Sequence, residues 1–476
     1  MPSSNKYAQE FLQSVCQQIR FKGIHENITN ELSDHIDDQK NEYIKQGFDE
    51  EAAFLKAVEQ MGDPVLVGKQ LDKAHRPKIE WSILSLAAIL VVAGGFVQYF
   101  LSGVNADNSY VFSHFLIYAP AGIAAFTLIY FFDYTLLGRY PKVVYLLLFT
   151  FTIVGFLFFN RVNGSYTHVY YSALLFIPAF AGIVYDFRSK GYLGIIASGL
   201  FYAGAAYICL LASKFTGLIL LTVSCLIILT VAIKKGFFGS NKLVGLAIAY
   251  IPVIISLVLT ILTAPPYLRN RLAHIVNPEL DPLGSGYIPL MVKRLIASSQ
   301  PFGEAVLDGN IADISIASVS IEQLLPNWAT DFSLTYIIAR LGYVAGLVII
   351  AVMLILIARM FFSVMKQKNA YGYLVSLSAC LAITGQVVLY ILSNIGVITP
   401  FSVTLPFISF GGMGFVVNMI LVGLLLSVYR LTDLAHERPQ GVAGDRRLIT
   451  LVDGKLIIDL GMKAFFNKHA GRGKNN

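Results

Sequence analysis

Residues 371–430 read "YGYLVSLSACLAITGQVVLYILSNIGVITPFSVTLPFISFGGMGFVVNMILVGLLLSVYR", and this stretch decides the class of fold. Two long apolar runs flank a short segment that contains proline and paired glycine. Each run has about the 20 residues that a helix needs to cross the hydrocarbon core of a bilayer. Because the runs are too long and too uniformly apolar for the strands of a membrane barrel, they predict two transmembrane helices.

Comparable runs recur back to residue 81. The composition agrees with this, since 56% of the residues are apolar and 14% are charged, whereas a soluble domain carries about 25% charged residues. The mean hydropathy is +0.65. These values exclude a soluble enzyme, a disordered chain and a disulfide scaffold. We predict an all-α polytopic membrane protein with ten spans, near residues 81–101, 113–132, 143–159, 169–185, 192–211, 216–233, 243–263, 334–358, 371–395 and 408–429.

Composition shifts divide the chain into three zones: a polar helical prefix domain at 1–80, the membrane domain at 81–430 and a basic tail at 431–476. The prefix has no signal-peptide pattern. It predicts short helices, one ending at Gly47 and the next capped by Asp49.

Two further patterns outside the membrane zone leave alternatives open. His35, among neighbouring aspartates, suggests either a metal site or a solvated helix face, and the face is favoured because consecutive aspartates cannot share one side of a helix. In the tail, Asp453-Gly454 between two apolar runs predicts a β-hairpin. The basic tail either contacts anionic lipid or is solvated. The four cysteines show neither disulfide nor zinc spacing and are interpreted as small buried side chains.

The distribution of basic residues predicts the orientation. With a cytoplasmic N-terminus, the short outer loops hold only Arg161 and Lys214. The short inner loops hold Arg139, Lys142, Arg188, Lys190, Lys234, Lys235, Lys242, Arg359, Lys366 and Lys368. By the positive-inside rule, both termini are cytoplasmic and the long loop at about 264–333 is extracytoplasmic. Basic residues in the cytoplasmic loops and in the C-terminal tail also account for the net charge of +7. Nucleic-acid binding is not predicted, because no basic groove with interleaved aromatic residues is present.

The long loop is the predicted place for chemistry, because long ordered loops are usually functional. Its cations suit a phosphate-bearing ligand at the membrane surface, and its carboxylates suit proton transfer or Mg²⁺. The charged residues are Arg269, Arg271, Lys293, Arg294, Asp281, Glu304, Asp308, Asp313, Glu322 and Asp331.

Three blocks of sequence resemble the SEDS family of bacterial shape, elongation, division and sporulation proteins. They are "YLRNRLAHIVNPELDPLGSGY" at 267–287, "LLPNWATDF" at 324–332 and "NIGVITPFSVTLPFISFGGMGFVVNMILVGLLLSVYR" at 394–430. The span count and the long loop after the seventh span also agree. The resemblance covers residues 81–430 and is weak before the seventh span. Residues 1–80 resemble a small helical domain that precedes many bacterial permease-like proteins.

The resemblance implies a peptidoglycan glycosyltransferase in the bacterial cytoplasmic membrane. Its substrate would be lipid II, and its partner a class B penicillin-binding transpeptidase. Asp331 matches the proposed catalytic base, and Arg269 and Arg271 match the arginine-rich entry to the loop. Lys293 and Arg294 are diphosphate candidates by position alone, and Thr330 and Ser409 are candidate substrate contacts. A divalent cation, Mg²⁺ or Mn²⁺, is the one cofactor considered. The structural motif residues are Asp281, Pro282, Gly284, Gly286, Pro326, Pro406, Gly411 and Gly412.

Structural interpretations compete at several of these positions. Asp331 stands just before a predicted helix, where aspartate is a common cap. Asp281 is favoured as a turn former. Ser409, Gly411 and Gly412 are favoured as residues that permit a tight turn and close helix approach.

The chain also departs from the family pattern, chiefly by loss of acidic residues. Lys214 stands where an aspartate is usual, and Gln323 where a glutamate is common, with Glu322 adjacent. Ala329 replaces a histidine, and Ala339-Arg340 replaces an acidic pair. These losses weaken the prediction of a metal site more than that of a phosphate site. A flippase for lipid-linked precursor and a noncatalytic scaffold of wall synthesis therefore stay open beside the polymerase.

Overall fold

The structure of the protein is a computed structural model. The structure describes residues 2–20, 25–74, 78–103, 109–162, 164–239, 241–262, 277–307, 310–311, 314–315, 320–398, 403–409, 411–432, 449–452 and 455–458. These residues divide into two compact units, one formed by the N-terminal helices and the other by the membrane helices.

Ten described helices are long and apolar enough to cross a membrane, which confirms the predicted fold class. We call them spans 1 to 10. In order they are Trp81–Ser102, Ser109–Phe131, Pro141–Phe158, Thr167–Asp186, Gly191–Leu211, Phe215–Lys234, Lys242–Leu262, Tyr343–Met365, Ala370–Asn394 and Gly412–Arg430. A short helix, Thr135–Arg139, lies between spans 2 and 3.

Spans 4, 9 and 10 form the centre of the bundle. Span 4 is 72% buried, span 9 is 67% and span 10 is 72%, whereas span 2 is 11% and span 7 is 6%. Apolar side chains on spans 2 and 7 can remain exposed because lipid tails are as apolar as they are. Span 6 packs against spans 4 and 9. Spans 4, 6 and 9 therefore have fixed positions relative to one another, and these three helices carry the candidate site.

The eighth span differs from its predicted bounds of 334–358. A separate short helix, Ser333–Leu341, ends at Gly342, and span 8 begins at Tyr343. Gly342 has a φ of 99°, and a Cβ at this position would lie 2.4 Å from the Pro301 carbonyl oxygen. The prediction merged two helices because hydropathy continues across the glycine, whereas the backbone turns there.

The tenth span was predicted to start at residue 408, yet it starts at Gly412. The preceding residues 403–409, here called the Pro406 segment, are non-helical and largely buried. Phe407 in this segment has a φ of 70°. A Cβ on Gly94 of span 1 would lie 2.0 Å from the Phe407 carbonyl oxygen, so the segment approaches the span 1 backbone where only glycine fits.

The N-terminal unit contains four helices: Pro2–Gln18, His25–Lys45, Glu50–Gln60 and Pro64–Ala74. Gly47 has a φ of 94° beyond the end of the second helix, as predicted. The Asp49 side chain accepts a hydrogen bond from the Glu51 amide and caps the third helix. His35 is exposed. This exposure is what the solvated-face interpretation predicts.

The long loop and the tail contain the remaining elements. The loop holds a 3₁₀ turn, Pro278–Leu280, the helices Tyr287–Ala297 and Ile321–Leu324, and a two-residue strand pair, Asn310–Ile311 with Ile314–Ser315. In the tail, Ile449–Val452 pairs antiparallel with Lys455–Ile458. The predicted turn residues Asp453 and Gly454 lie outside the described residues.

Candidate functional site

The candidate site lies at the long-loop end of the bundle, which we define as the end where span 7 stops and span 8 starts. Spans 4, 6 and 9 present Tyr170, Lys214 and Asn394 at this end. A Cβ on Gly217 of span 6 would lie 3.5 Å from the Tyr170 Cα of span 4. This close approach brings the two helix ends together beneath the loop.

Asp331 lies in a compact turn that precedes the helix Ser333–Leu341. Asn327 has a φ of 54° and starts this turn. Its carbonyl oxygen accepts hydrogen bonds from the amides of Thr330 at 3.0 Å and Phe332 at 3.2 Å. Trp328 is buried nearby in the apolar core of the loop. Asp331 and Thr330 are half-buried, and the N-cap residue of the following helix is Phe332, so Asp331 precedes the cap position.

Asn394, at the end of span 9, holds this turn in place. Its side-chain Nδ2 donates to the Asp331 carbonyl oxygen at 3.0 Å. Its Oδ1 accepts from the Thr335 amide at 3.1 Å and from the Thr335 hydroxyl at 3.0 Å. The first amides of a helix have no intrahelical partner, so a side chain from span 9 caps a helix of the loop and carries Asp331 with it.

A cluster of three hydroxyl groups makes a second tie between the loop and the bundle. The Ser333 hydroxyl lies 2.9 Å from the Tyr390 hydroxyl and 2.9 Å from the Ser409 hydroxyl. The Tyr390 hydroxyl also accepts from the Leu334 amide at 3.0 Å. Ser409 is buried. Ser409, which was named as a candidate substrate contact, therefore joins the Pro406 segment to the turn of Asp331.

The charge of Asp331 acts on a specific set of neighbours. It interacts electrostatically with Tyr170, Tyr171 and Tyr390 and with the ammonium of Lys214. Burial lowers the pKa of Lys214 from its ordinary value, and the charge of Asp331 opposes that shift. The site therefore contains one carboxylate and one buried cation that interact electrostatically, with three tyrosines that also respond to the carboxylate.

Two of the predicted cations belong to the amphipathic loop helix Tyr287–Ala297. The apolar face of this helix is buried, while Lys293 is exposed and Arg294 half-buried. A Cβ on Gly396, two residues beyond Asn394, would lie 2.7 Å from the Lys293 Cγ. Lys293 thus lies near the end of span 9. Arg269 and Arg271 lie outside the described residues.

The turn of Asp281 is organised by its own carboxylate. The carboxylate accepts from the Gly284 amide at 3.1 Å and from the Ser285 amide at 2.8 Å. A Cβ on Gly286 would lie 1.9 Å from the Pro278 carbonyl oxygen. Pro282 lies within the turn. This geometry is what the turn interpretation of Asp281 predicts.

The other motif residues also have structural surroundings. Pro326 is exposed in the turn that leads to Asp331, and Pro406 is buried within the Pro406 segment. A Cβ on Gly412 would lie 2.1 Å from the Tyr118 ring, and one on Gly411 would lie 3.1 Å from the Thr404 side chain. Both glycines therefore permit close approach at the start of span 10.

Glu322 is engaged within the loop. The Tyr336 hydroxyl donates to its Oε1 at 2.7 Å. Burial raises the pKa of Glu322, but hydrogen bonds from Tyr336 and Ser320 and the charge of Arg340 outweigh burial, so the pKa lies below its ordinary value. Arg340 in turn pairs with Glu304. These contacts stabilise the loop.

The described residues around Asp331 do not fit a divalent-cation site. Mg²⁺ and Mn²⁺ favour several hard oxygen ligands. Here one carboxylate interacts electrostatically with a lysine ammonium and with tyrosines. That ammonium would repel a dication bound to the same carboxylate.

Sequence reasoning missed the residues that hold Asp331 in place: Ser333, Tyr390 and Asn394. It used Lys214 for the orientation and noted it as a departure from the family, without placing it in the site. The available signal was the presence of polar residues at the ends of apolar runs, since such groups must be hydrogen-bonded when buried. The same signal marks Gln386 and Asn418, whose side-chain amides are 2.9 Å apart in the bundle centre.

Comparisons with known proteins identify the family of the chain. A family model described as "Cell cycle protein", covering FtsW, RodA and SpoVE, matches residues 79–433. The chain is 27% identical over 194 residues to peptidoglycan glycosyltransferase MrdB of Escherichia coli K12, covering 40% of this chain and 49% of that protein. It is 30% identical over 169 residues to stage V sporulation protein E of Bacillus subtilis, covering 35% and 43%. The chain thus spans about half the length of these curated relatives.

A solved structure has a similar fold. It is a chain from a structure reported under the heading "Structural coordination of polymerization and crosslinking by a peptidoglycan synthase complex". The TM-score is 0.58 at 18% identity, and the match covers 75% of this chain and 99% of that one.

Proposed function

The chain belongs to the FtsW/RodA/SpoVE family of cell cycle proteins, and on that premise we propose that it polymerises lipid II into peptidoglycan glycan at the outer face of the cytoplasmic membrane. The observation that carries the proposal is the placement of Asp331. Its half-buried turn is held to the bundle by Asn394 and lies within electrostatic reach of Lys214. MrdB, a relative, is named as a peptidoglycan glycosyltransferase.

The reaction needs a base and a cation. The sugar 4-hydroxyl of one unit attacks the anomeric carbon of another, a glycosidic C–O bond forms, and the bond from that carbon to the lipid diphosphate breaks. The diphosphate leaves with the bonding electron pair. Asp331 accepts the hydroxyl proton as the new bond forms, and cations at the long-loop end stabilise the departing diphosphate. Lys293, Arg294, Arg269 and Arg271 are candidates for the second role.

The test is Asp331→Asn in the purified full-length protein supplied with lipid II. We expect polymer formation to fall at least 100-fold, since general base catalysis contributes about 10²–10⁴. Asp281→Asn is the matched control, because it makes the same change in the same loop and keeps an oxygen acceptor for the turn. Polymer output from Asp331→Asn equal to that of the control would refute the assignment of the base.

Two other functions predict different outcomes of the same experiment. A scaffold would bind lipid II and make no polymer even as the native protein. A flippase would move precursor across vesicles without polymerising it. Transport favours ionisable residues within the membrane. The hydrogen-bond network at the bundle centre instead joins the Tyr170 hydroxyl to the side-chain amides of Gln386 and Asn418. This favours the polymerase.

We also propose that both termini are cytoplasmic and that a class B penicillin-binding transpeptidase binds at the long-loop side. Leu283 is 60% exposed in the loop. A cysteine at this position should react with an impermeant maleimide in intact cells, whereas a cysteine at Val65 of the N-terminal unit should react only after permeabilisation. The reverse pattern would contradict the orientation. Co-purification of the transpeptidase with the full chain tests the partner.

A further inference from the structure

Lys214 is held in an unusual position for a lysine. It is only 7% exposed, although lysine is almost never fully buried unless it is paired. It lies in a turn between spans 5 and 6 in which Ser213 has a φ of 53°. The Lys214 amide donates to the Cys209 carbonyl oxygen at 2.9 Å, and the Ala212 carbonyl oxygen accepts from the Tyr166 amide at 3.2 Å. Backbone contacts on both sides therefore fix the turn that directs this side chain inward.

The surroundings of the ammonium are suited to an anion. Its Nζ donates to the Ser165 hydroxyl at 3.5 Å, which is a long contact for a group with three donors. Its span packs on Tyr170 through Gly217, and its charge interacts with that of Asp331. Because its hydrogen bond to Ser165 is long and its interaction with Asp331 is electrostatic, the ammonium can bind a phosphate group by turning its side chain toward it.

We infer that Lys214 is the resident cation of this site, that it binds the diphosphate of the lipid-linked substrate, and that it takes the place of a divalent cation there. The inference rests on the proposed function for the identity of the substrate. The ammonium is buried and fixed by its turn, it interacts electrostatically with the proposed base, and its span packs against Tyr170 at the same end of the bundle. A resident ammonium would repel a divalent cation bound to the same carboxylate. Lys293 is exposed to water. Its attraction for a diphosphate is therefore weaker than that of a buried ammonium, because water has a high dielectric constant.

The test measures binding, so that it can be read even if the protein forms no polymer. Full-length protein in lipid nanodiscs is titrated with undecaprenyl diphosphate and, separately, with undecaprenol, in the presence of a chelator. We expect Lys214→Met to weaken binding of the diphosphate about 10- to 100-fold, the loss of one charge-assisted contact, and to leave undecaprenol binding unchanged. Lys214→Arg should restore most of the affinity. Lys242→Met, an exposed lysine at the opposite end of the bundle, is the matched control.

A second measurement uses the native protein and does not depend on a variant that folds. In the presence of a chelator, the native protein should bind undecaprenyl diphosphate about 10- to 100-fold more tightly than undecaprenol. The inference is overturned if Lys214→Met binds the diphosphate as tightly as Lys242→Met, if native binding requires a divalent cation, or if the native protein binds the diphosphate no more tightly than undecaprenol. Failure of the proposed function would instead appear as loss of polymerisation with these binding results intact.

Discussion

Replacing Asn394 by alanine is expected to release Asp331 from the bundle. Asn394 is fully buried. Its side chain holds the carbonyl oxygen of Asp331 and the amide of Thr335. Both groups lose this partner in Asn394→Ala, and water cannot easily replace it because Thr335 is also fully buried.

The magnitude follows from the two groups left without a partner. A buried polar group without a hydrogen bond costs about 1–3 kcal/mol, so two such groups give a destabilisation of about 2–6 kcal/mol. Thr335→Val is the matched comparison. It removes only the hydroxyl bonds to Asn394 and keeps the amide bond and the tie to Asp331. Its expected cost is about 1–3 kcal/mol, because the buried Asn394 carbonyl oxygen loses the hydroxyl that donates to it.

The assay combines thermal unfolding of purified protein with lipid II polymerisation measured well below the unfolding midpoint. Asn394→Ala should lower the midpoint by several degrees and also reduce polymer output among molecules that remain folded. Thr335→Val should lower the midpoint less and retain most of the output. Equal polymer output from the two variants at matched folded fractions would refute the role of Asn394 in positioning Asp331.

Two further predictions test packing and electrostatics. Gly94→Ala should strongly reduce folded yield and polymer output, because the new Cβ would lie 2.0 Å from a backbone carbonyl of the Pro406 segment. The control is Gly199→Ala in span 5, where a new Cβ meets no atom within 4 Å and the protein should behave as the native one. Equal yields of the two variants would contradict the packing. Glu322 has a folded pKa below its ordinary value of 4.5, so its contacts stabilise the loop above that pH and are lost as the pH falls through the folded pKa. The unfolding midpoint should therefore drop on acidification below 4.5, and Glu322→Gln should drop less; parallel pH profiles of the two proteins would contradict this.

The inferred role of Lys214 bears on the departures from the family pattern. A family site that relies on acidic residues can lose one of them if a basic residue supplies the positive charge directly. Lys214 stands where the resemblance expects an aspartate, and its ammonium interacts electrostatically with Asp331. The departures from the family pattern are then compatible with retained chemistry.

The sequence by itself determined the ten-span class, the long loop and the position of Asp331 within a recognisable block. These features are local, because a run of about 20 apolar residues must cross the bilayer as a helix whatever its neighbours are. The family match at residues 79–433 and the ten described spans agree with that prediction.

Only the tertiary structure decided what surrounds Asp331. Lys214, Asn394 and Ser409 are far from it in the chain, and polar residues at helix ends can equally face water, so no periodicity could select them as its neighbours. The break at Gly342 was likewise hidden, because a left-handed glycine changes the direction of the backbone without changing its hydropathy. Long-range packing of spans 4, 6 and 9 supplies this information, since contacts between distant helix ends depend on how the whole bundle closes.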